Sequence, residues 1–149
     1  MPGYDPSPIG QEGCAVFAGV VVTDYLIRLP WPEQALWQNR RVHWAERSKA
    51  VKAARRAAWA LAKEQGVPKI PGAILMFEFY PPDNRRRDIQ NMPATQKAAI
   101  DGIADAMGCD DHGFRPNWPD VFAEAVHGGA VVVHVRPPVE NIELRGVVT

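Results

Sequence analysis

Cysteine is scarce in this chain, and its scarcity excludes two classes of small protein. The 149 residues contain only Cys14 and Cys109. Two cysteines are too few for the disulfide framework of a small secreted protein, and their separation does not match metal-ligand spacing. A chain of this length can bury a hydrophobic core without either kind of crosslink. We therefore expect a single domain over residues 1–149 in a reducing, intracellular setting.

The chain also lacks a long apolar run and an excess of charge of one sign. The apolar run from Cys14 to Val22 is too short to cross a bilayer, and Asp5 and Glu12 precede it where a signal peptide needs positive charge. The 17 basic and 17 acidic residues give a net charge of zero, which excludes a globally basic coat for nucleic acid. We predict a cytoplasmic protein without a membrane partner, in which any nucleic-acid binding depends on local clusters of charge.

Basic residues do cluster between residues 40 and 64, where eight of them accompany only two acidic residues. The alanine-rich pattern from His43 to about Gln65 predicts a helix that ends at Gly66 and Pro68. On a helical wheel one face is apolar and the opposite face is cationic. The apolar face comprises Trp44, Val51, Ala54, Ala58, Leu61 and Ala62, and the cationic face comprises Lys49, Lys52, Arg56 and Lys63. Such a cationic face either contacts a nucleic-acid backbone or is an ordinary solvated surface.

Apolar runs rich in β-branched and aromatic residues predict the strands. We expect a first strand from Val16 to Leu29, a second from Ala73 to Tyr80, and a hairpin of Val121–Val126 with Ala130–Val135 around Gly128 and Gly129. Residues 1–15 read as a flexible leader, and residues 136–149 give no clear pattern.

A second helix is predicted to start near Pro93 and Thr95 and to end before Gly108. Its apolar face holds Ile100, Ile103 and Met107. The order strand, helix, strand, helix, hairpin, without repeats or a linker, predicts an α+β fold. It would be a single mixed β-sheet with two main helices packed against it.

The stretch from Arg85 to Asp111 gathers the residues suited to phosphate chemistry. Three consecutive arginines, Arg85, Arg86 and Arg87, lead into Asp88, and the second helix leads to Asp110 and Asp111. Mg²⁺ usually takes one or two protein carboxylates and completes its shell with substrate phosphate and water. The stretch therefore predicts a metal ion facing a phosphate.

Ordinary structural roles are the alternative for each of these residues. Asp88 could lie in a solvated loop with local salt bridges, and Asp110-Asp111 could form a turn. Lys97, Asp101 and Asp105 follow at four-residue intervals, the spacing of exposed ion pairs on a helix. His43 and His112 favour loop or core positions over metal ligation, and Glu78 is a weak candidate for an additional ligand.

Several motifs together resemble one protein family. They are LPWP at Leu29–Pro32, NRRVHW at Asn39–Trp44, RRRD at Arg85–Asp88, NMPATQKAAIDG at Asn91–Gly102 and the pair Asp110-Asp111. The chain resembles the RusA-type Holliday junction resolvases (crossover junction endodeoxyribonucleases) over roughly residues 29–134, in particular the branch common in phages and prophages of actinobacteria.

This resemblance implies a homodimeric endonuclease that uses Mg²⁺, or Mn²⁺ in its place, to cut four-way and other branched double-stranded DNA. The family's carboxylates map to Asp88 and Asp111, with Asp110 beside them as a metal ligand, and the family's functional lysine maps to Lys97. We expect the backbone phosphates to be contacted by Arg40, Lys49, Lys52, Arg56, Arg85, Arg86 and Arg87.

Two departures from the family pattern leave alternatives open. Gln90 stands where many members have a second aspartate, and Pro93–Thr95 look like an insertion. A glutamine offers a neutral oxygen but no charge, so the metal would have one anionic ligand fewer. A junction-binding protein of the same fold with weakened catalysis therefore remains an alternative. A metal-dependent phosphohydrolase acting on small molecules, which would not need the cationic helix face, is a second alternative.

Overall fold

The computed structural model describes residues 14–17, 20–38 and 40–138, with side chains described from residue 24 onward. Strands β1 (Cys14–Phe17) and β2 (Val20–Thr23) pair antiparallel in a small two-stranded sheet. Strand β3 (Tyr25–Leu29) begins after Asp24 and belongs to the main sheet. The prediction of one strand from Val16 to Leu29 was therefore wrong, because Asp24, a poor strand former, divides the β-branched run between two sheets.

The main sheet of the described residues has four strands in the order β3-β6-β4-β5. Strand β4 spans Ile74–Tyr80, β5 spans Arg115–Asn117 and β6 spans Ala130–Arg136. The pairs β3-β6 and β4-β6 are antiparallel, whereas β4 and β5 are parallel. The predicted mixed sheet of an α+β fold is confirmed.

Within the described residues, three helices accompany the sheet: α1 (Trp44–Glu64), the single turn α2 (Met92–Thr95) and α3 (Lys97–Met107). Alternate residues of β4 and β6, among them Phe79 and Val133, are buried in one core with Ala58 of α1 and Ile103 of α3. Gly108 ends α3 with a left-handed backbone (φ 71°), as the sequence predicts. No helix in the described part of the chain is long and apolar enough to cross a membrane.

Helices α1 and α3 lie in direct contact, and Gly102 is the position of closest approach. A Cβ atom placed on Gly102 would lie 2.1 Å from the backbone oxygen of Arg55. The alanines of the predicted apolar face that lie farther along α1, Ala58 and Ala62, are fully buried there. Small residues on both helices thus allow the two backbones to approach.

Two residues of the predicted apolar face of α1 are exposed instead. Trp44 is 75% exposed and Val51 is 39% exposed, so their assignment to the packing face was wrong. Helix α3 has 11 residues against 21 in α1 and can cover only part of its length. The early turns of α1 contact the short 3₁₀ turn Gln34–Leu36 through Ala50.

The predicted strand Val121–Val126 does not form, and neither does its hairpin with Ala130–Val135. The chain instead follows the edge of β4 through isolated bonds, in which Ala123 N donates to Phe79 O and Val126 N donates to Pro81 O, both at 2.9 Å. Pro119 has no N–H to donate to a ladder, which helps to explain the irregular path. The two glycines do turn the chain, and β6 then pairs with β3 and β4. Most of the predicted leader and nearly all of residues 136–149 lie outside the described residues.

Candidate catalytic and nucleic-acid-binding site

Lys97, the first residue of α3, lies between two carboxylates. Its Nζ donates to Asp101 Oδ1 at 2.9 Å and to Asp111 Oδ2 at 2.8 Å. Asp101 is one turn farther along α3, and Asp111 begins the 3₁₀ turn that follows this helix. The side chains of Lys97, Asp101 and Asp111 are 68%, 23% and 31% exposed. We call these three residues the Lys97 cluster, and solvent or a ligand can reach it.

Lys97 and Asp111 stabilise each other in their charged forms. The hydrogen bond from Lys97 lowers the pKa of Asp111 to about 2, and burial opposes this only in part. The same bond to Asp111, followed by the bond to Asp101, raises the pKa of Lys97. Lys97 is therefore an ammonium group that can stabilise negative charge, and it is not available as a proton acceptor.

The local sequence explains why Asp111 points back toward Lys97. Gly108 ends α3, and Asp110 then caps the next turn by accepting a hydrogen bond from His112 N at 3.0 Å. The cap fixes the turn that carries Asp111. One oxygen of Asp110, a predicted metal ligand, is thus engaged with the backbone.

Asp105, the third residue of the predicted series on α3, has a different partner. Arg55 of α1 donates to both of its carboxylate oxygens, at 2.7 and 3.0 Å. This bidentate pair connects α1 to α3 beside the Lys97 cluster.

Asp88 is exposed and caps the 3₁₀ turn Ile89–Asn91 by accepting a hydrogen bond from Gln90 N at 3.0 Å. Among the described residues it makes no hydrogen bond or ion pair with Lys97, Asp110 or Asp111. The structure therefore brings together Lys97 and Asp111, with Asp110 beside them, and adds Asp101. It does not join Asp88 to them by a direct contact.

The carboxylates of the Lys97 cluster have the chemistry that a hard divalent cation requires. In the described part of the chain, no group of three or more His, Cys, Asp or Glu side chains is placed to hold a metal ion. Mg²⁺, however, is commonly held by only one or two carboxylates. Asp101 and Asp111 each direct an oxygen toward the same ammonium group, so they already share a position that favours positive charge.

Two of the other three candidate ligands, His43 and Glu78, have structural roles. His43 Nδ1 accepts a hydrogen bond from Ala45 N at 3.2 Å and so caps α1. Glu78 bonds to His134 within the sheet, at 2.7 Å. His112 is exposed in the turn after Asp111.

A cavity of about 560 Å³ lies where the LPWP motif meets the arginine run. Two tryptophans and four arginines line it: Trp31, Trp37, Arg40, Arg85, Arg86 and Arg87. Asp88 and Asn91 line the same cavity. We call it the Trp–Arg cleft. The sequence predicted the arginines as phosphate contacts, but it did not predict that two indole rings would share a cavity with them.

The three consecutive arginines differ in how they are held. Arg87 is only 16% exposed, donates to Asp83 Oδ1 at 2.7 Å, and places its guanidinium 5.7 Å from the ring centre of Trp31. This hydrogen bond is the main cause of the lowered pKa of Asp83. Arg85 is 80% exposed at 3.4 Å from Asp83, and Arg86 has no hydrogen bond or ion pair with another described residue. Arg87 thus orders the loop, while Arg85 and Arg86 remain accessible to a ligand.

The cationic face of α1 is exposed as predicted. Lys49, Lys52, Arg56 and Lys63 all lie at the surface.

A second group of charged residues lies on the sheet, on the face opposite the helices. His134 of β6 contacts Glu78 of β4 at 2.7 Å and Asp24 at 3.5 Å, and Arg136 donates to Asp24 at 3.1 Å. We call these four residues the sheet cluster. Its side chains are 20–43% exposed, and Asp24 Oδ1 is buried without a hydrogen-bond partner among the described residues.

The sheet cluster also shifts the pKa values of its members. The hydrogen bond with Asp24 raises the pKa of His134 despite partial burial, and Glu78 adds to this effect. Burial acts to raise the pKa of Asp24, but the bonds from His134 and Arg136 outweigh it and lower this pKa.

The fold and the site define a small α+β protein with an exposed lysine–carboxylate cluster and an arginine-lined cleft. No family model matches the chain. Over 130 residues it is 42% identical to an uncharacterized protein of Xylella fastidiosa (strain Temecula1), and the match covers 84% of this chain and 83% of that protein. The chain belongs to the same family as the Xylella protein.

Proposed function

We propose that this protein is a Mg²⁺-dependent endodeoxyribonuclease that hydrolyses phosphodiester bonds in four-way (Holliday) or otherwise branched DNA. The observation that carries the proposal is the position of Lys97 between Asp101 and Asp111. A fixed cation beside exposed carboxylates, preceded in the chain by an arginine-rich loop, suits the cleavage of a phosphate ester. The resemblance of residues 29–134 to the RusA-type resolvases supports the same activity.

In this proposal the carboxylates Asp88 and Asp111 hold the metal ion, and Asp101 or Asp110 supplies a further oxygen. Bound Mg²⁺, or Mn²⁺, would polarise the scissile phosphate and lower the pKa of a water molecule for attack. Lys97 stabilises the negative charge that develops on the phosphate oxygens in the transition state. Because its ammonium group is already oriented by two carboxylates, little reorganisation is needed during the reaction.

The exposed arginines and lysines position the DNA without reading its sequence. Arg40, Arg85 and Arg86 would contact backbone phosphates near the Trp–Arg cleft, and Lys49, Lys52 and Arg56 would contact them along α1. Arg87 contributes mainly by ordering the loop that carries Arg85 and Arg86.

The symmetry of the substrate argues for a homodimer. A four-way junction is cut on two strands, and a two-fold dimer offers one site to each of them. The proposed setting is the bacterial cytoplasm, and a phage or prophage origin suits the activity.

Cleavage of a labelled four-way junction, a fork and a linear duplex of the same sequence, with and without Mg²⁺, tests the proposal. We expect paired incisions in the junction that depend on Mg²⁺, and weak cleavage of the linear duplex. Asp111→Asn and Asp88→Asn should each abolish cleavage and leave metal-free junction binding intact, because removing a negative charge cannot weaken attraction to phosphate. Cleavage retained by both asparagine variants would make the metal assignment wrong.

A second candidate function is junction binding with weakened catalysis. It is favoured by Gln90 in place of an aspartate and by the lack of a direct contact between Asp88 and the Lys97 cluster in the described residues. The same assay separates the two functions. Tight junction binding without nicking at any Mg²⁺ or Mn²⁺ concentration would support this second function and exclude the nuclease.

A further inference from the structure

We propose that the Trp–Arg cleft binds one unpaired nucleotide of a DNA strand, with its base against the indole of Trp37 and its phosphate at Arg85 and Arg86. The proposal deepens the proposed function and rests on it only for the choice of DNA as the ligand. It assigns a binding role to the tryptophans, which the hydrolytic site does not use.

The two indole rings provide the apolar part of this site. The ring centres of Trp31 and Trp37 are 6.3 Å apart, with planes tilted by 43°. Trp31 is already enclosed, because Arg87 lies over its ring and Phe122 lies 6.5 Å away. Trp37 is half-buried at the cavity, and in the described structure Trp31 is its only aromatic neighbour. Trp37 is therefore the ring against which a base can stack.

The cleft is built before any ligand arrives. Arg47 of α1 donates to the backbone oxygens of Trp37 and Arg40, at 3.4 and 3.0 Å, and so holds both residues close to the start of α1. On the other side, a Cβ atom at Gly129 would lie 2.9 Å from Trp31 Cβ. Gly129, with φ 71°, thus allows the turn after Val126 to pack directly on Trp31. Little conformational entropy has to be lost when a ligand binds to such an ordered site.

The charges and the size of the cleft select the ligand. Exposed arginines beside aromatic rings are the combination that binds single-stranded nucleic acid, because every base has a stacking face and every nucleotide carries a phosphate. The volume of about 560 Å³ suits a small group such as one nucleotide. A paired base is stacked inside its duplex and cannot reach an indole ring in a cavity. An unpaired nucleotide, as at a branch point or a strand end, can reach it.

Binding of a short fluorescent oligothymidylate, measured by anisotropy in EDTA, tests the proposal. Trp37→Leu should weaken binding roughly 5- to 150-fold, which corresponds to about 1–3 kcal/mol for one stacked base. Trp37→Phe should retain most of the affinity because it keeps an aromatic face. Trp59→Leu is the matched control, since Trp59 is 42% exposed on α1 and does not line the cleft. Equal affinities for Trp37→Leu and Trp59→Leu would overturn the proposal.

Two further ligands make the test independent of the folding of any variant. An abasic strand of the same length and charge should bind the unmodified protein more weakly, by the factor that Trp37→Leu loses with the intact strand. Equal binding of abasic and intact strands would overturn a base-stacking site. Thymidine monophosphate should bind much more weakly than the strand, and equally tight binding would overturn the assignment to a DNA strand in favour of a free nucleotide.

These outcomes can be separated from those of the nuclease assay, because binding in EDTA requires neither metal nor cleavage. If the protein cuts junctions but binds abasic and intact strands equally, only the proposed stacking site is wrong. If it binds the base but never cuts DNA, only the proposed nuclease activity is wrong.

Discussion

The Lys97 cluster and the sheet cluster contain the same kinds of residue in different surroundings. In each, a basic side chain lies between two carboxylates, Asp101 and Asp111 in one case and Asp24 and Glu78 in the other. Lys97 is 68% exposed, whereas His134 is 22% exposed. Exposed ion pairs contribute about 0–1 kcal/mol, whereas leaving a buried polar group unpaired costs about 1–3 kcal/mol. We infer that the Lys97 cluster serves ligands and the sheet cluster serves stability.

The largest expected effect is that of Lys97→Ala, which should lower activity much more than stability. We expect Lys97→Ala to lower the rate of junction cleavage by about 10²–10³, the usual loss for one electrostatic contact to a transition state. Its free energy of unfolding should change by about 1 kcal/mol or less, because the ion pairs are exposed. Single-turnover cleavage, junction affinity and urea unfolding measure the three quantities.

Asp101→Asn is the matched control for Lys97→Ala, since it removes one of the two ion pairs but keeps the ammonium group and Asp111. It should cost less activity than Lys97→Ala. If Lys97→Ala weakens junction binding as much as it slows cleavage, Lys97 is a phosphate contact and has no special role in the transition state.

The sheet cluster should show the opposite behaviour. We expect His134→Gln to lower the free energy of unfolding by about 1–3 kcal/mol, because charged hydrogen bonds of the half-buried Asp24 and Glu78 are lost. Junction cleavage by the folded protein should not change. Urea unfolding at about pH 6, below the usual pKa of histidine, measures the effect.

The shifted pKa values of the sheet cluster also predict the direction in which stability changes with pH. The pKa of His134 is raised in the folded state, so its contribution is fully present below the unfolded pKa of about 6.5 and is lost as pH rises through the folded pKa. The pKa of Asp24 is lowered, so its contribution is lost only as the pH falls through that value. The unmodified protein should therefore lose stability as the pH rises from about 6.5 through the raised pKa of His134. An equal loss in His134→Gln would show that another group titrates.

A smaller effect distinguishes two neighbouring arginines. Arg86→Gln should reduce the slope of log affinity against log salt for junction binding by about 1, with unchanged stability. Arg87→Gln should in addition lower the stability of the fold, because Arg87 is held by Asp83 and lies over the ring of Trp31. Salt titrations and thermal unfolding of both variants test this. Identical behaviour of the two variants would contradict the division between a fixed and an accessible arginine.

The smallest expected effect concerns Gln90, which is exposed and adjoins the Asp88 cap. Gln90→Asp should lower the Mg²⁺ concentration needed for cleavage roughly several-fold, since affinity for hard cations rises with ligand charge. Gln90→Glu serves as a control, because it adds the same negative charge on a longer side chain. An unchanged Mg²⁺ titration for both variants would mean that this side chain faces away from the metal.

Local pattern predicted helix α1 within a residue at each end, and it also predicted α3, β4 and β6. Each has a clear period or a terminator such as Gly66 or Gly108. The errors occurred where distant segments decide. Trp44 fits the apolar face of the wheel, but α3 is too short to cover it. Val121–Val126 has strand composition, but β6 pairs with β3 and β4 in its place.

The sequence predicted individual residues of the candidate site but not all the contacts between them. The resemblance identified Lys97 and Asp111, and four-residue spacing identified the series Lys97, Asp101 and Asp105 on α3. The contact of Asp111 with Lys97, in contrast, depends on the turn capped by Asp110. The pairing of Trp31 with Arg87 depends on a loop, anchored by Asp83, that has no periodic pattern.

Because Gly102 has no side chain, helices α1 and α3 can lie close together, and so can the charged residues that they carry. Gly102 adjoins Asp101 and admits the backbone oxygen of Arg55, one residue before Arg56 on the cationic face of α1. A methyl group there cannot be accommodated without separating the two helices. The distance between the exposed lysines of α1 and Lys97 on α3 therefore depends on residue 102 having no side chain.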